Sequence, residues 1–385
     1  MRSWLLPDYI EDILPPEARR IEELRRAILD LFYVHGYQLV IPPLIEYVES
    51  LLTGTGRDMD LKTFKLVDQL SGRMMGLRAD ITPQVARIDA HLLNREGITR
   101  LCYCGSVAHT LPSTTVRSRE PLQIGAELYG HGGLESDIEI LRLMLQALKR
   151  ARVAEVHLDL GHVAIFRSIA RRGKVPAELE AELFGVLQTK DRAALRELTT
   201  GIDSQTSQAL LSLLELYGGD EVLAGAAKCL PEYPEISAAL AGLQAFSKEL
   251  RDKVASLGFD LAEMRGYRYH SGVVFSAYAK SSANAIAVGG RYDEVGKAFG
   301  RARPATGFSM DLREVSALHS GEPWRSAILA PYLQDTALQK KIASLREQGE
   351  IVIEDLSRQG SSPGDLNCDR TLVLRNGVWE ISSLK

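Results

Sequence analysis

Cysteine is scarce in this 385-residue chain: Cys102, Cys104, Cys229 and Cys368 are the full complement. Four scattered thiols cannot build the framework that a disulfide-stapled secreted domain needs. Cys102 and Cys104 stand two apart, but no second ligand pair at zinc spacing accompanies them, so they read as buried thiols rather than half of a metal site. Basic residues are not concentrated anywhere, and 46 of them against 50 acidic ones leave a net charge of −4 and a pI of about 6.1. That balance leaves no basic footprint for nucleic acid. No apolar run approaches the ~18 residues that span a bilayer. The opening MRSWLLPDYIEDILPP has acids and prolines where a signal peptide needs an apolar core. Walker loop, HExxH and GxSxG are all missing, and so are internal repeats and low-complexity segments. The expectation is a soluble, reduced, cytoplasmic protein. Its 45% hydrophobic and 25% charged composition and its length suit two or three globular domains.

What is present is a mixed pattern of helices and strands. Pro15-Pro16 precede a helix over 17–35, whose Ile21, Leu24, Ile28, Leu31 and Phe32 recur at helical spacing until Gly36 ends it. A strand over 37–41 follows, then Pro42-Pro43. RMMGLRADITP reads as a strand running into a helix over 83–93 with Thr82 as its N-cap. A second long helix spans 135–152, and EVHLDLGHV is a strand. Between 166 and 258 Leu, Ala and Glu dominate at helical periodicity, which predicts an all-helical insertion. Strand texture returns in MRGYRYHSGVVFSAYA, NAIAVGGRYDEV and PATGFSMDLREV. Residues 325–385 read as a small α/β tail ending in two strands around an Asn-Gly turn.

The segment GSVAHTLPSTTVRSREPLQIGAELYG, residues 105–130, is two strands joined by a polar loop. In the second strand Leu122, Ile124, Ala126 and Leu128 point one way and Gln123, Gly125 and Glu127 the other. One face is therefore apolar, and the other presents an amide and a carboxylate. In RGYRYHSG, Arg265, Tyr267 and Tyr269 share one strand face and Gly266, Arg268 and His270 the other. That pattern fits either a wet cleft or an exposed hairpin with Arg–Tyr stacking. Asp80 sits at a strand-to-helix turn, where a cap or turn role is the default. VGGRYDEV alone fits a plain hairpin turn. Together these segments describe a large antiparallel sheet presenting Asp80, Gln123, Glu127, Arg265 and Tyr269. Two carboxylates, an amide and an arginine are the groups that hold a zwitterionic amino acid through charge-assisted bonds.

Over residues 5–315 the sequence resembles the class II aminoacyl-tRNA synthetases, specifically the catalytic domain of histidyl-tRNA synthetase. The helix over 17–35 followed by GYQLVIPPLIE is similar to motif 1, the dimer element. RLCYCGSVAHTLPSTTVRSREPLQIGAELYG is similar to motif 2, and ATGFSMDLREV to motif 3. LRADIT resembles that family's LRPEGT segment and RGYRYHSG its RGLDYYTG segment, and GGRYD matches outright. The resemblance implies an α+β fold: an antiparallel sheet flanked by helices over 1–165 and 258–320, a helical insertion over 166–257, and a small α/β segment over 321–385. It also implies a histidine site made of Asp80, Thr82, Gln123, Glu127, Arg265 and Tyr269, with His270 replacing a tyrosine beside the imidazole.

The departures from that family fall in the nucleotide half of the site. His109 stands where the synthetases carry the motif 2 arginine on the α-phosphate, and Leu111 where they carry a Glu. In motif 3 the expected Gly-x-Glu-Arg is Asp311-Leu312-Arg313-Glu314, so carboxylates replace the γ-phosphate clamp. The final 60 or so residues do not match a full anticodon-binding domain, so no tRNA partner is expected. A histidyl-tRNA synthetase relative of this kind is similar to the regulatory subunits of ATP phosphoribosyltransferase. That resemblance implies a non-catalytic chain without cofactor or metal. Its expected partners are a copy of itself through motif 1, histidine, and a short-form catalytic phosphoribosyltransferase, and its expected role is feedback control of the first step of histidine synthesis.

Overall fold

The computed structural model describes residues 4–54, 57–112, 118–264, 266, 269–318, 326–356 and 367–384. They form two compact units, residues 1–319 and 320–385. The first is built on a nine-stranded sheet. Its order is Gln38–Leu39, Thr99–Ser106, Leu122–Tyr129, Ala305–Asp311, Ala285–Arg291, Val273–Ala279, Val156–His162, Ser256–Asp260 and Tyr217–Gly218. The central pairs are antiparallel. Gln38–Leu39 on Thr99–Ser106, and Val156–His162 on Ser256–Asp260, are parallel.

The helix Pro15–Val34 starts on its prolines, which supply no helix-start N–H and need none there. It buries Ile21, Ile28, Leu31 and Phe32 against the sheet. At its end Gly36 N–H donates to Tyr33 O and Tyr37 N–H to Phe32 O, which turns the chain into the first strand. Phe32 is fully buried, with its ring edge-on to Phe308 at 5.9 Å, and truncating it to alanine should cost about 3–5 kcal/mol. The helix Leu134–Arg150 lies on the same face through Ile140, Leu141, Met144, Ala147 and Leu148. That core runs on without a break into Phe166, Leu183, Leu210, Leu243 and Phe246 of the helical segment. A second core, on the opposite face, gathers Ile81, Val85, Leu101, Tyr103, Tyr129 and Tyr292.

Four local expectations are corrected. The helix over 83–93 is α-helical only through Thr82–Arg87 and then widens to a π-turn over Ile88–Leu93. Thr82 is not its cap: Asp80 Oδ1 accepts the Thr82 N–H at 3.0 Å, so the carboxylate two residues back does that work. The stretch before Val273 is not a strand. Gly266 has φ +65°, and its carbonyl accepts both the Tyr269 and His270 N–H groups, so Tyr269 and His270 ride a turn and do not alternate on a pleat. The helical insertion is not all-helical, since Tyr217–Gly218 and Ser256–Asp260 return to the large sheet as its edge.

A smaller sheet of Ile45–Tyr47, Met74–Leu77 and Lys65–Val67 carries the chain into the Asp80 turn. In the second unit, strands Val352–Asp355, Ala327–Pro331, Cys368–Arg375 and Val378–Ser383 form one sheet. The helix Thr336–Glu347 packs Leu338, Ile342 and Leu345 on Ile328, Val352, Leu372 and Trp379. Asp335 caps that helix and accepts Trp379 Nε1–H at 2.9 Å. The last two strands meet at Asn376-Gly377, both at positive φ, as the sequence predicts. No helix among the described residues is long and apolar enough to cross a membrane.

Candidate functional site

The strand Leu122–Tyr129 lies mid-sheet between Thr99–Ser106 and Ala305–Asp311. Its Ile124, Ala126 and Leu128 enter the main core, which leaves Gln123, Gly125 and Glu127 on the opposite face. Glu127 is 1% exposed. Tyr103, on the adjacent strand opposite Gly125, donates its hydroxyl to Glu127 Oε1 at 3.1 Å, and Tyr292 donates to Oε2. The neighbouring strand places Gly307 directly opposite Glu127, and a Cβ there would fall 1.5 Å from Oε2. Glycine at 307 is thus what gives the carboxylate room to lie along the sheet. Burial pushes the Glu127 carboxyl up to about 8. The tyrosine hydroxyls oppose that rise, and the charge of Asp80 adds to it.

Asp80, Thr82 and Gln123 come together at the head of the short helix. Gln123 is clamped at both ends: its Nε2–H donates to Asp80 Oδ1 at 2.8 Å, and its Oε1 accepts the Ile81 N–H at 2.9 Å. The Gln123 and Thr82 bonds to Asp80 both fall on Oδ1, and among the described residues none is made to Oδ2. Thr82 Oγ1 meets Tyr103 Oη at 2.9 Å. A continuous polar chain therefore runs Thr82, Tyr103, Glu127, Tyr292, with Tyr129 at its end, 3.5 Å from the Tyr292 hydroxyl.

Tyr269 closes the other side. Its ring lies against Tyr292, centroids 4.9 Å apart, and edge-on to His270 at 5.4 Å. Its hydroxyl is buried with no hydrogen-bond partner among the described residues, and its acidity is suppressed by burial and by the charges of Glu127 and Asp80. Of the sequence-predicted residues, Asp80, Thr82, Gln123, Glu127, Tyr269 and His270 thus line one region. Arg265 lies outside the described residues.

The adjoining region is filled from within. His109 Nε2 sits 2.9 Å from Ala79 O, and burial lowers the imidazole's pKa, which favours the neutral ring. Asp311 Oδ1 accepts the N–H groups of Leu122 and Arg313 at 3.1 and 3.0 Å. Burial raises the Asp311 carboxyl to about 6. Burial and then the Asp311 charge raise that of Glu314 to about 7. Among the described residues no three or more His, Cys, Asp or Glu side chains group as metal ligands. Burial pushes the Cys102 and Cys104 thiols up to about 12 and 11, so neither is a ready thiolate.

Sequence reasoning missed three residues. Tyr103 and Tyr292 are the direct partners of Glu127, and Arg291 sets Tyr292 in place. The buried Arg291 guanidinium bonds Asp137, Ser136 Oγ and the carbonyls of His131 and Gly133, which ties the strand end to the long helix. The signal was the GGRYD segment, which matches the histidine-specific pattern but reads in isolation as a turn.

A family model described as histidyl-tRNA synthetase matches residues 9–315, and one described as the ATP phosphoribosyltransferase subunit HisZ C-terminal domain matches residues 325–382. An ATP phosphoribosyltransferase regulatory subunit from Nitrosospira multiformis is 61% identical over 99% of this chain and 98% of its own. One from Nitrosomonas eutropha is 56% identical over 99% of both. Among solved structures, one described as an ATP phosphoribosyltransferase regulatory subunit/histidyl-tRNA synthetase from Bacillus halodurans superimposes with a TM-score of 0.82 at 26% identity, covering 95% of this chain and 96% of that one. A histidyl-tRNA synthetase from a Nostoc species shares the fold at 17% identity, with a TM-score of 0.78 over 97% and 92% of the chains.

Proposed function

The chain belongs to the family of ATP phosphoribosyltransferase regulatory subunits, and from that premise we propose that it senses histidine in the cleft of Asp80, Thr82, Gln123, Glu127, Tyr269 and His270 and reports it to a catalytic phosphoribosyltransferase chain. It is a non-catalytic subunit with an α+β, class II synthetase-like fold, serving the first step of histidine biosynthesis. One contrast carries the sensor reading. The amino-acid half of the cleft keeps a buried acceptor, Glu127, between two tyrosine hydroxyls, while the nucleotide half is closed by His109 on Ala79 O and by the carboxylates Asp311 and Glu314.

The roles follow from chemistry. Asp80, oriented by Gln123, takes the ligand ammonium through Oδ2. Gln123 holds Asp80 in place with one amide N–H, and its oxygen, which has a second lone pair, stands beside Asp80 as a further acceptor for the ammonium. Glu127 accepts an imidazole N–H. Arg265 takes the carboxylate, a role its guanidinium suits by bidentate geometry. His270 flanks the imidazole edge. Calorimetry with histidine tests the site: Glu127→Ala should bind roughly ten- to a hundredfold more weakly, because the imidazole N–H is then buried without an acceptor. Absent binding to wild type at millimolar histidine, with or without the partner, or equal binding by the variant, would mean that the site is misassigned.

Further parts of the reading concern assembly. Tyr33, Val34, Leu39, Ile41, Leu44 and Ile45 are exposed apolar side chains grouped around the motif 1-like segment, Ile41 at 83%. They support a homodimer through that face, since contiguous exposed apolar surface marks an interface. The partner is a short-form ATP phosphoribosyltransferase, activated by stabilising one of its states rather than by a donated phosphate clamp. Residues 1–165 with 258–320 form the synthetase-like body in this reading, 166–257 its insertion, and 321–385 a separate module. A cytoplasmic location without a tRNA partner completes it.

A further inference from the structure

Residues 4–14 precede the first helix and contain neither helix nor strand, yet they are tied down at specific points. Arg119 N–H donates to Tyr9 O at 2.9 Å, and Arg119 Nη1 reaches Asp8 O at 3.4 Å. Arg313 Nη2 donates to Glu11 Oε1 at 3.0 Å, while its Nη1 reaches Ser118 Oγ and Glu120 O, both at 3.2 Å. The two ends of that ion pair differ sharply: the Arg313 side chain is 9% exposed and that of Glu11 76%. Tyr9 holds φ +63°, the left-handed region that a bulky residue occupies only when its surroundings impose it. The segment is thus a strap laid over a buried cation.

We propose that docking of this strap is coupled to ligand binding in the cleft, with Arg313 as the positioning residue between them; this rests on the histidine-sensor reading above. Two short routes join strap and cleft. On one, Asp311 holds the Arg313 N–H and the Leu122 N–H, and the next residue, Gln123, clamps Asp80. On the other, Arg119 O accepts the His109 N–H at 2.8 Å, and His109 Nε2 bonds Ala79 O, next to Asp80. The first route ends on the carboxylate that takes the ligand ammonium, and the second on the backbone carbonyl of the residue before it. Undocking the strap removes the Glu11 carboxylate from Arg313 and loosens the Arg119 contact, so the undocked state holds Asp80 less firmly. Histidine, which needs Asp80 placed, therefore favours the docked state. Coupling of this kind is reciprocal, so ligand also tightens the strap by the same factor.

The test uses the full-length chain. Glu11→Gln removes the charge at an exposed position remote from the cleft, so folding is preserved; Arg313→Gln is the second variant. Calorimetry with histidine and hydrogen exchange of the backbone amides of residues 8–11 are measured for each. The expected result is histidine affinity lowered about fivefold or more in Glu11→Gln, together with strap exchange that histidine slows in wild type but not in the variant. If wild type binds histidine while Glu11→Gln binds within twofold of it and strap exchange ignores the ligand, the coupling is refuted and the cleft stands. If wild type binds no histidine, the cleft reading falls and this one with it. Strap exchange that histidine slows equally in wild type and both variants would refute the role of Arg313 alone.

Discussion

Glu127→Gln should remove a pH dependence of stability that the wild type carries. The folded chain raises this carboxyl from 4.5 to about 8 because the group is buried. The described groups facing it are the hydroxyls of Tyr103, Tyr292, Tyr129 and Tyr269 and the carboxylate of Asp80. A folded-state pKa above the unfolded value means that the native chain binds the extra proton between the two. Stability is then full below about 4.5 and is lost as pH rises through about 8. At about 1.4 kcal/mol per pH unit, the interval from pH 5.5 to 7.5 should cost wild type about 2–3 kcal/mol through this residue. Glutamine keeps the shape and an acceptor for one tyrosine but cannot ionise. Asp311 and Glu314 titrate in the same range and are common to both proteins, so the difference between them isolates Glu127. Urea unfolding of both, without ligand, at steps from pH 5.5 to 7.5 reads the difference through the midpoints. The variant should gain on wild type steadily as pH rises. A difference constant to within about 0.5 kcal/mol across the series would refute the protonated, buried Glu127.

Histidine-dependent ATP–pyrophosphate exchange should stay at background, because the resemblance to the synthetases puts His109 and Glu314 where those enzymes carry phosphate-gripping arginines, and neither offers a fixed cation; a synthetase-like rate would contradict this. Light scattering at micromolar concentration should report a dimer for wild type and a monomer for Ile41→Glu, whose substituted side chain is 83% exposed in the single chain. An unchanged mass would move the interface elsewhere.

Much of the site was readable because strand periodicity is local. Alternation alone put Gln123 and Glu127 on one face and Ile124, Ala126 and Leu128 on the other, and the sheet bears this out. Tyr103 and Tyr292 were not readable. Their bonds to Glu127 depend on cross-strand register and on a connection 165 residues long, which no window of sequence contains. The turn at Gly266 was misread as a strand because its aromatic residues have high β propensity, and the backbone bonds of Tyr269 and His270 to one carbonyl override that. Thr82 was read as the cap because threonine caps helices well, but its hydroxyl turns to Tyr103 and its N–H is held by Asp80, for which a cap or turn role was already the default. The sheet strands at Tyr217–Gly218 and Ser256–Asp260 were hidden inside Leu- and Ala-rich helical texture, where two to five residues leave little periodic signal.

The most direct measurement is steady-state turnover of a short-form ATP phosphoribosyltransferase chain, alone, mixed with this chain, and mixed in the presence of histidine. Activity should rise on mixing, fall when histidine is added, and become insensitive to histidine, but not to mixing, when this chain carries Glu127→Ala. No change in rate on mixing, with the two chains eluting separately in size exclusion, would contradict a regulatory subunit outright.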